Sequence, residues 1–171
     1  MSKAAPPKKG AAPAAPPVEL APPPPAVSEP TPPPSLPTTT YSAGRFVYSD
    51  GSVYEGDFMV KDGAKFRHGR GRYAGPHFSY EGAWEADAMH GAGTYIGSLG
   101  AVYAGELRAG RYHGAGRYRW PDGATYEGPW VDGKLHGEGG QYVSAEGVLF
   151  AGTFINGMYR SGESNTLVSI R

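Results

Sequence analysis

The sequence predicts an all-β fold: an elongated single-layer antiparallel β-meander of stacked hairpins, preceded by an extended Pro-rich tail. Three observations carry that reading. An aromatic-x-Gly pattern recurs at start positions 54, 80, 103, 126 and 150. Each of the first four copies is followed by one His-Gly-x-Gly. Between the two stand turn signals such as Asp62-Gly63 and Asp132-Gly133, the pairs that a two-residue hairpin turn with positive φ prefers. Self-similarity at a period of about 20–50 residues marks a repeat architecture.

The chain has 171 residues, room for about one domain. Residues 1–40 are mostly Pro, Ala, Ser and Thr. They carry too little apolar bulk to offset the entropy of ordering and are expected to be extended and disordered. Within them "PPVELAPPPP" and "PTPPPSLP" hold P-x-x-P spacings. Such a tail serves either as a spacer or as a polyproline II ligand for an aromatic groove. Residues 41–162 form the repeat sheet, and 163–171 a C-terminal capping segment. Its "TLVSIR" run suits covering the sheet's edge or adding a strand to a partner.

Each unit reads as a hairpin. In "YEGPWVDGKLHGEG" a turn at Asp132-Gly133 sets Val131 opposite Lys134 and Trp130 opposite Leu135. An unbroken ladder then brings Gly128 to Gly137 and Tyr126 to Gly139. The same counting sets Leu107 opposite Tyr112 and Tyr103 opposite Gly116. It also sets Trp84 opposite Met89, Tyr80 opposite Gly93, Gly56 opposite Gly69 and Tyr54 opposite Gly71. The first unit is longer by two residues per strand, which keeps its faces in phase. Links such as Pro121-Asp122-Gly123 suit a type I turn with glycine in the left-handed position. The link from Tyr73 to Tyr80 is one residue short, and a bulge or kink is expected there. Gly140 lengthens the fourth unit by one small residue.

These residues resist three chemical readings. Histidines one hairpin apart sit roughly 10 Å from each other, too far to share a zinc ion that needs nitrogens at about 2 Å. The Gly-x-Gly segments lie in strands and do not open a helix, so they are no phosphate loop. Glu55 with His68, Glu81 with His90 and Glu127 with His136 recur as periodic pairs without a Ser or Cys nucleophile, which reads as cross-strand architecture. No enzyme activity and no cofactor is expected.

The units closely resemble MORN repeats, a pattern of Y-x-G-x-W, a short turn and H-G-x-G-x-Y. "YEGPWVDGKLHGEGGQY" carries it most fully, followed by "YEGAWEADAMHGAGTY" and "YAGELRAGRYHGAGRY". The resemblance spans about Phe46–Tyr159. The last copy, Phe150-Ala151-Gly152-Thr153-Phe154, is followed by Arg160-Ser161-Gly162 and reads as a cap. The resemblance implies a twisted antiparallel sheet and a scaffold or adaptor role.

A one-layer sheet cannot close its own core. Tyr54, Phe58, Tyr80, Trp84, Tyr103, Leu107, Tyr126, Trp130, Phe150 and Phe154 therefore form an aromatic stripe, read either as a partner-binding face or as a stripe that packs on itself. Net charge is zero, which argues against nucleic acid and against a polybasic membrane mechanism. There is no cysteine, so no disulfide framework and no thiolate metal site; a reducing compartment fits. The N-terminus has no apolar secretory core, and no apolar run approaches the roughly 20 residues of a membrane span. Partners are expected to be other protein subunits of a large assembly, with pairing between two such sheets. The resemblance points to a structural subunit of the motile cilium or flagellum, in the radial spoke or central apparatus of the axoneme. The alternative is a peripheral membrane adaptor associated with phosphoinositides.

Overall fold

The structure, a computed structural model, describes residues 39–161 and 167–170. The Pro-rich tail to residue 38, with its P-x-x-P segments, lies outside the described residues. Among the described residues thirteen strands follow in order: β1 (Thr39–Val47), β2 (Val53–Lys61), β3 (Ala64–Ala74), β4 (Phe78–Glu85), β5 (Ala88–Gly97), β6 (Val102–Arg108) and β7 (Arg111–Arg119). Then come β8 (Thr125–Val131), β9 (Lys134–Leu135), β10 (Gly137–Val143), β11 (Leu149–Ile155), β12 (Met158–Arg160) and β13 (Leu167–Ser169). They form one open antiparallel sheet in chain order, with β9 paired to β8 beside β10. Among the described residues there is no helix, and hence none long and apolar enough to cross a membrane.

The tips of the hairpins are where the turn residues require them. Val131 faces Lys134 and Trp130 faces Leu135; Leu107 faces Tyr112; Trp84 faces Met89. The first turn residue has positive φ in every unit, at Asp62, Ala86, Ala109, Asp132 and Asn156. Each turn after the first is tied to the preceding hairpin by a backbone N–H. Asp87, Gly110, Gly133 and Gly157 donate to the carbonyls of Arg67, Met89, Tyr112 and Leu135. Alanine in the left-handed region costs about 1–2 kcal/mol, and Ala109 at φ 48° bears that strain. Ala109→Asn, which creates an Asn-Gly turn, is expected to raise the melting temperature by about 3 °C in a thermal unfolding scan.

Beyond the tips the ladder is not unbroken, and the expected pairings of tyrosine with glycine are corrected. Tyr54 faces Tyr73, with Gly56 on Gly71. Tyr80 faces Tyr95, Tyr103 faces Tyr118 and Tyr126 faces Tyr142. In each of the first three units a bulge after the histidine absorbs extra residues on the second strand. Its first residue is the His-Gly glycine, left-handed at Gly69, Gly91 and Gly114, a conformation that favours glycine. The motif thus sets two glycines to two tasks: one turns the bulge, the next lies under a ring.

Gly140 now has its explanation. The fourth bulge holds one residue more, Gly139 at φ 74°, and Gly140 takes the place that Gly71, Gly93 and Gly116 hold in the other units, against Gly128 and Gly152. The expected kink between Tyr73 and Tyr80 is also corrected. Pro76 and His77 form a two-residue turn closed by Gly75 N–H to Phe78 O at 2.9 Å. The ladder on either side stays regular, because a two-residue turn needs one residue fewer than the three-residue loop at Pro121–Gly123.

The result is a set of rows running across the strands. One row is aromatic: Phe46, Tyr54, Tyr73, Tyr80, Tyr95, Tyr103, Tyr118, Tyr126, Tyr142 and Phe150. Two residues away on the same face runs a row of glycines: Gly44, Gly56, Gly71, Gly82, Gly93, Gly105, Gly116, Gly128, Gly140 and Gly152. At the C-terminal end β13 lies beside β12, and Ile170 packs against the aromatic cluster.

Candidate functional site

The aromatic stripe is the core of the sheet. Tyr54, Tyr103, Tyr126 and Phe154 are fully buried, and Tyr80, Trp84, Leu107 and Trp130 are nearly so. Phe58 and Phe150 are half-buried. Of the two readings of this stripe, packing on itself is what the structure displays. Tyrosine rings from the first strand of each hairpin lie flat over the glycine row, where no Cβ intervenes. Each of these four first-strand phenols donates to the carbonyl three residues on: Tyr54 to Asp57 at 2.5 Å, Tyr80 to Ala83 at 2.9 Å, Tyr103 to Glu106 at 2.6 Å and Tyr126 to Pro129 at 3.0 Å. A buried hydroxyl without a partner would be costly, so this local bond lets a polar ring enter the core. The next unit's large side chain then covers the tyrosine edge-on. Trp84 meets Tyr54 at 5.5 Å between centroids, Trp130 meets Tyr103 at 5.6 Å and Phe154 meets Tyr126 at 5.0 Å. The indole N–H groups of Trp84 and Trp130 donate to the carbonyls of Gly71 and Gly116, each at 3.1 Å.

Burial pushes the phenols of Tyr54, Tyr103 and Tyr126 up to about 12; it raises Tyr80 and Tyr112 as well. Unfolded phenols ionise near pH ~10, so the folded state holds these protons more tightly. Their contribution to stability is complete below that value and is lost as pH rises towards about 12. An alkaline titration followed at 295 nm is expected to release these tyrosines only together with loss of the β-sheet circular dichroism signal.

The four His-Gly-x-Gly histidines stand at the bulges, and three of them reach towards the turns. His90 Nδ1 lies 3.0 Å from Glu85 and His113 Nδ1 lies 3.8 Å from Asp132. His136 Nδ1 accepts from Asn156 N–H at 3.3 Å, and the His68 ring lies 5.5 Å from that of Tyr41. The expected Glu–His cross-strand pairs are corrected. Glu55 faces Arg72, Glu81 faces Thr94 and Glu127 faces Gln141, because the bulge moves the histidine out of register. The first unit also departs from the others. Arg67 holds the place of Met89, Tyr112 and Leu135, pairs with Asp87 at 3.0 Å and lies 4.2 Å over the Trp84 ring.

The open surface lies on the other side. Side chains alternate across a strand, so Glu55, Arg72, Glu81, Thr94, Ala104, Arg117, Glu127 and Gln141 form a row on the reverse face, all exposed. Between this row and the bulge residues Arg70, Ala83 and Ala92, the bare glycine backbone floors a groove of about 700 Å³. Beyond Ala104 it continues as a second of about 530 Å³, past Gly116 and Gly128 to Gly139 and Gln141. The groove therefore crosses the sheet at right angles to the strands, with carboxylates and guanidinium groups interleaved along one wall. Sequence reasoning missed it because it followed large side chains; the signal was the unbroken series of glycines.

A one-layer sheet of stacked hairpins that buries its rings between neighbouring units defines a repeat protein. Three of its units match the profile of the MORN repeat, at residues 80–98, 103–125 and 126–143, the second, third and fourth hairpins. A comparison with curated protein sequences found no match. MORN repeats are non-catalytic modules of protein-binding or membrane-associated proteins.

Proposed function

We propose that the protein is a non-enzymatic structural subunit of a large cytoskeletal assembly, the axoneme of the motile cilium or flagellum. In this reading it engages partner subunits through the groove on its reverse face, and the Pro-rich tail supplies further reach. The carrying observation is the division of labour between the faces. Rings and their hydrogen bonds are consumed by the fold, while the glycine floor and its flanking charges remain open. A groove that crosses consecutive repeats suits an extended partner, as repeat surfaces generally do. Mixed charge along its wall favours a protein over a polyanion.

The test is localisation of a tagged copy in a flagellated cell, followed by detergent extraction. Retention in the demembranated axoneme supports the reading, and placement among radial-spoke or central-apparatus proteins by crosslinking would refine it. Loss with the membrane fraction overturns it in favour of a peripheral membrane adaptor, for which saturable, salt-sensitive binding to anionic vesicles is the next measurement.

A further inference from the structure

The two ends of the sheet differ. The C-terminal edge strand β13 has three residues and lies beside a short β12, whereas β1 has nine, Thr39 to Val47, in unbroken register with β2. Among the described residues, β1 has a neighbour on one side only. It contains no proline, no bulge and a single charge, Arg45, so it lacks the devices that usually blunt an edge.

Which of its backbone groups are free follows from the ladder. Tyr48 N–H bonds to Ser52 O at 2.9 Å and closes the first loop. In an antiparallel pair, hydrogen-bonded and open positions alternate, so Phe46, Gly44 and Ser42 bond to β2. Val47, Arg45, Ala43 and Tyr41 point their N–H and C=O groups outwards. The same four side chains lie on the reverse face. Two of them are large and apolar, Tyr41 at 69% exposure and Val47 at 64%.

We infer that β1 is a self-association edge, at which a second copy of this chain pairs β1 with β1 about a two-fold axis at Gly44. One register satisfies every feature at once. Centred on Gly44, it sets Ala43 opposite the second copy's Arg45 and Tyr41 opposite its Val47, all outward-pointing positions, so each free donor meets a free acceptor. Exposed Tyr41 and Val47 become direct cross-strand neighbours twice over and cover each other. Gly44 meets its own symmetry mate, so the glycine row runs on across the interface. Phe58 already lies over Gly44, 3.2 Å from where a Cβ would stand, which carries the ring layer to the edge itself. Glu55 beside each Arg45 offsets the like charge of the two guanidinium groups. The inference stands independently of the axonemal reading.

The test uses the full chain in sedimentation equilibrium at about 1–100 µM. The wild type is expected at twice the 18.0 kDa monomer mass. Ala43→Pro removes an outward N–H that no strand of the monomer uses, and edge strands tolerate proline. It should weaken dimerisation at least about tenfold with the melting temperature of the dilute monomer unchanged. Tyr41→Lys with Val47→Lys leaves the backbone intact and should act alike, so a misfolded proline variant does not spare the inference. Because the chain has no cysteine, Tyr41→Cys with Val47→Cys should form a disulfide-linked dimer on oxidation. A monomeric wild type, a dimer that survives both sets of substitutions, or a cysteine variant that stays uncrosslinked overturns the inference.

Discussion

Gly116→Ala is expected to unfold the middle of the sheet, at a cost of about 3 kcal/mol. A Cβ at Gly116 would lie 2.6 Å from the ring carbons Cε2 and Cζ of Tyr103. That ring has nowhere to go. It is fully buried, stacked on Tyr112 at 3.9 Å and covered edge-on by Trp130. Its hydroxyl is held by the Glu106 carbonyl. Conformational strain plays no part, since the positive-φ glycines do not include Gly116. Gly97→Ala is the matched control: its Cβ would meet Tyr95 at an ordinary 3.6 Å, and the melting temperature should barely move. Urea unfolding of the two variants beside the wild type checks both statements.

Trp130→Ala is expected to cost about 3–5 kcal/mol. The indole is nearly buried and touches the rings of Tyr103, Tyr112, Tyr118 and Tyr126. Its removal opens a void across the boundary between the third and fourth hairpins and strips the Gly116 carbonyl of its indole N–H donor. Leu107 fills the same place one unit earlier and Phe154 one unit later, so Trp130→Leu should cost clearly less. In a sheet where each unit touches only its neighbours, damage stays local. Hydrogen exchange should therefore show β6 to β10 losing protection in Trp130→Ala while β2 to β5 keep theirs.

Much of the fold was legible in the residues because its turns are written in them. Asp62-Gly63, Asp132-Gly133 and the loop at Pro121–Gly123 fix the ends of each hairpin, and period-two alternation then fixes the faces. The bulge was not legible. A regular ladder places His136 and Gly137 as ordinary pairs, whereas Gly91 and Gly114 adopt left-handed backbone and let the second strand slip by extra residues. That slip separates the Glu–His pairs and aligns glycine with glycine. The sequence left two readings of the aromatic stripe open, a binding face and self-packing, for a physical reason. Large rings on an open sheet suggest exposed surface, but the glycine row lets them lie flat, and Trp84, Trp130 and Phe154 reach back over the preceding unit. What stays open is the reverse face, where mostly small, polar and charged residues flank the glycine floor.

The proposed function assigns binding to the reverse groove and leaves the rings to build the fold. It is tested most directly by filling that groove without touching the rings. Thr94 and Ala104 face each other across β5 and β6 on the reverse face, both exposed. On the axonemal reading proposed above, the measurement is retention of a tagged Thr94→Arg, Ala104→Arg protein in demembranated axonemes, beside its melting temperature. Release from the axoneme with an unchanged melting temperature is the predicted result. Retention equal to the wild type by an equally stable protein would contradict that assignment.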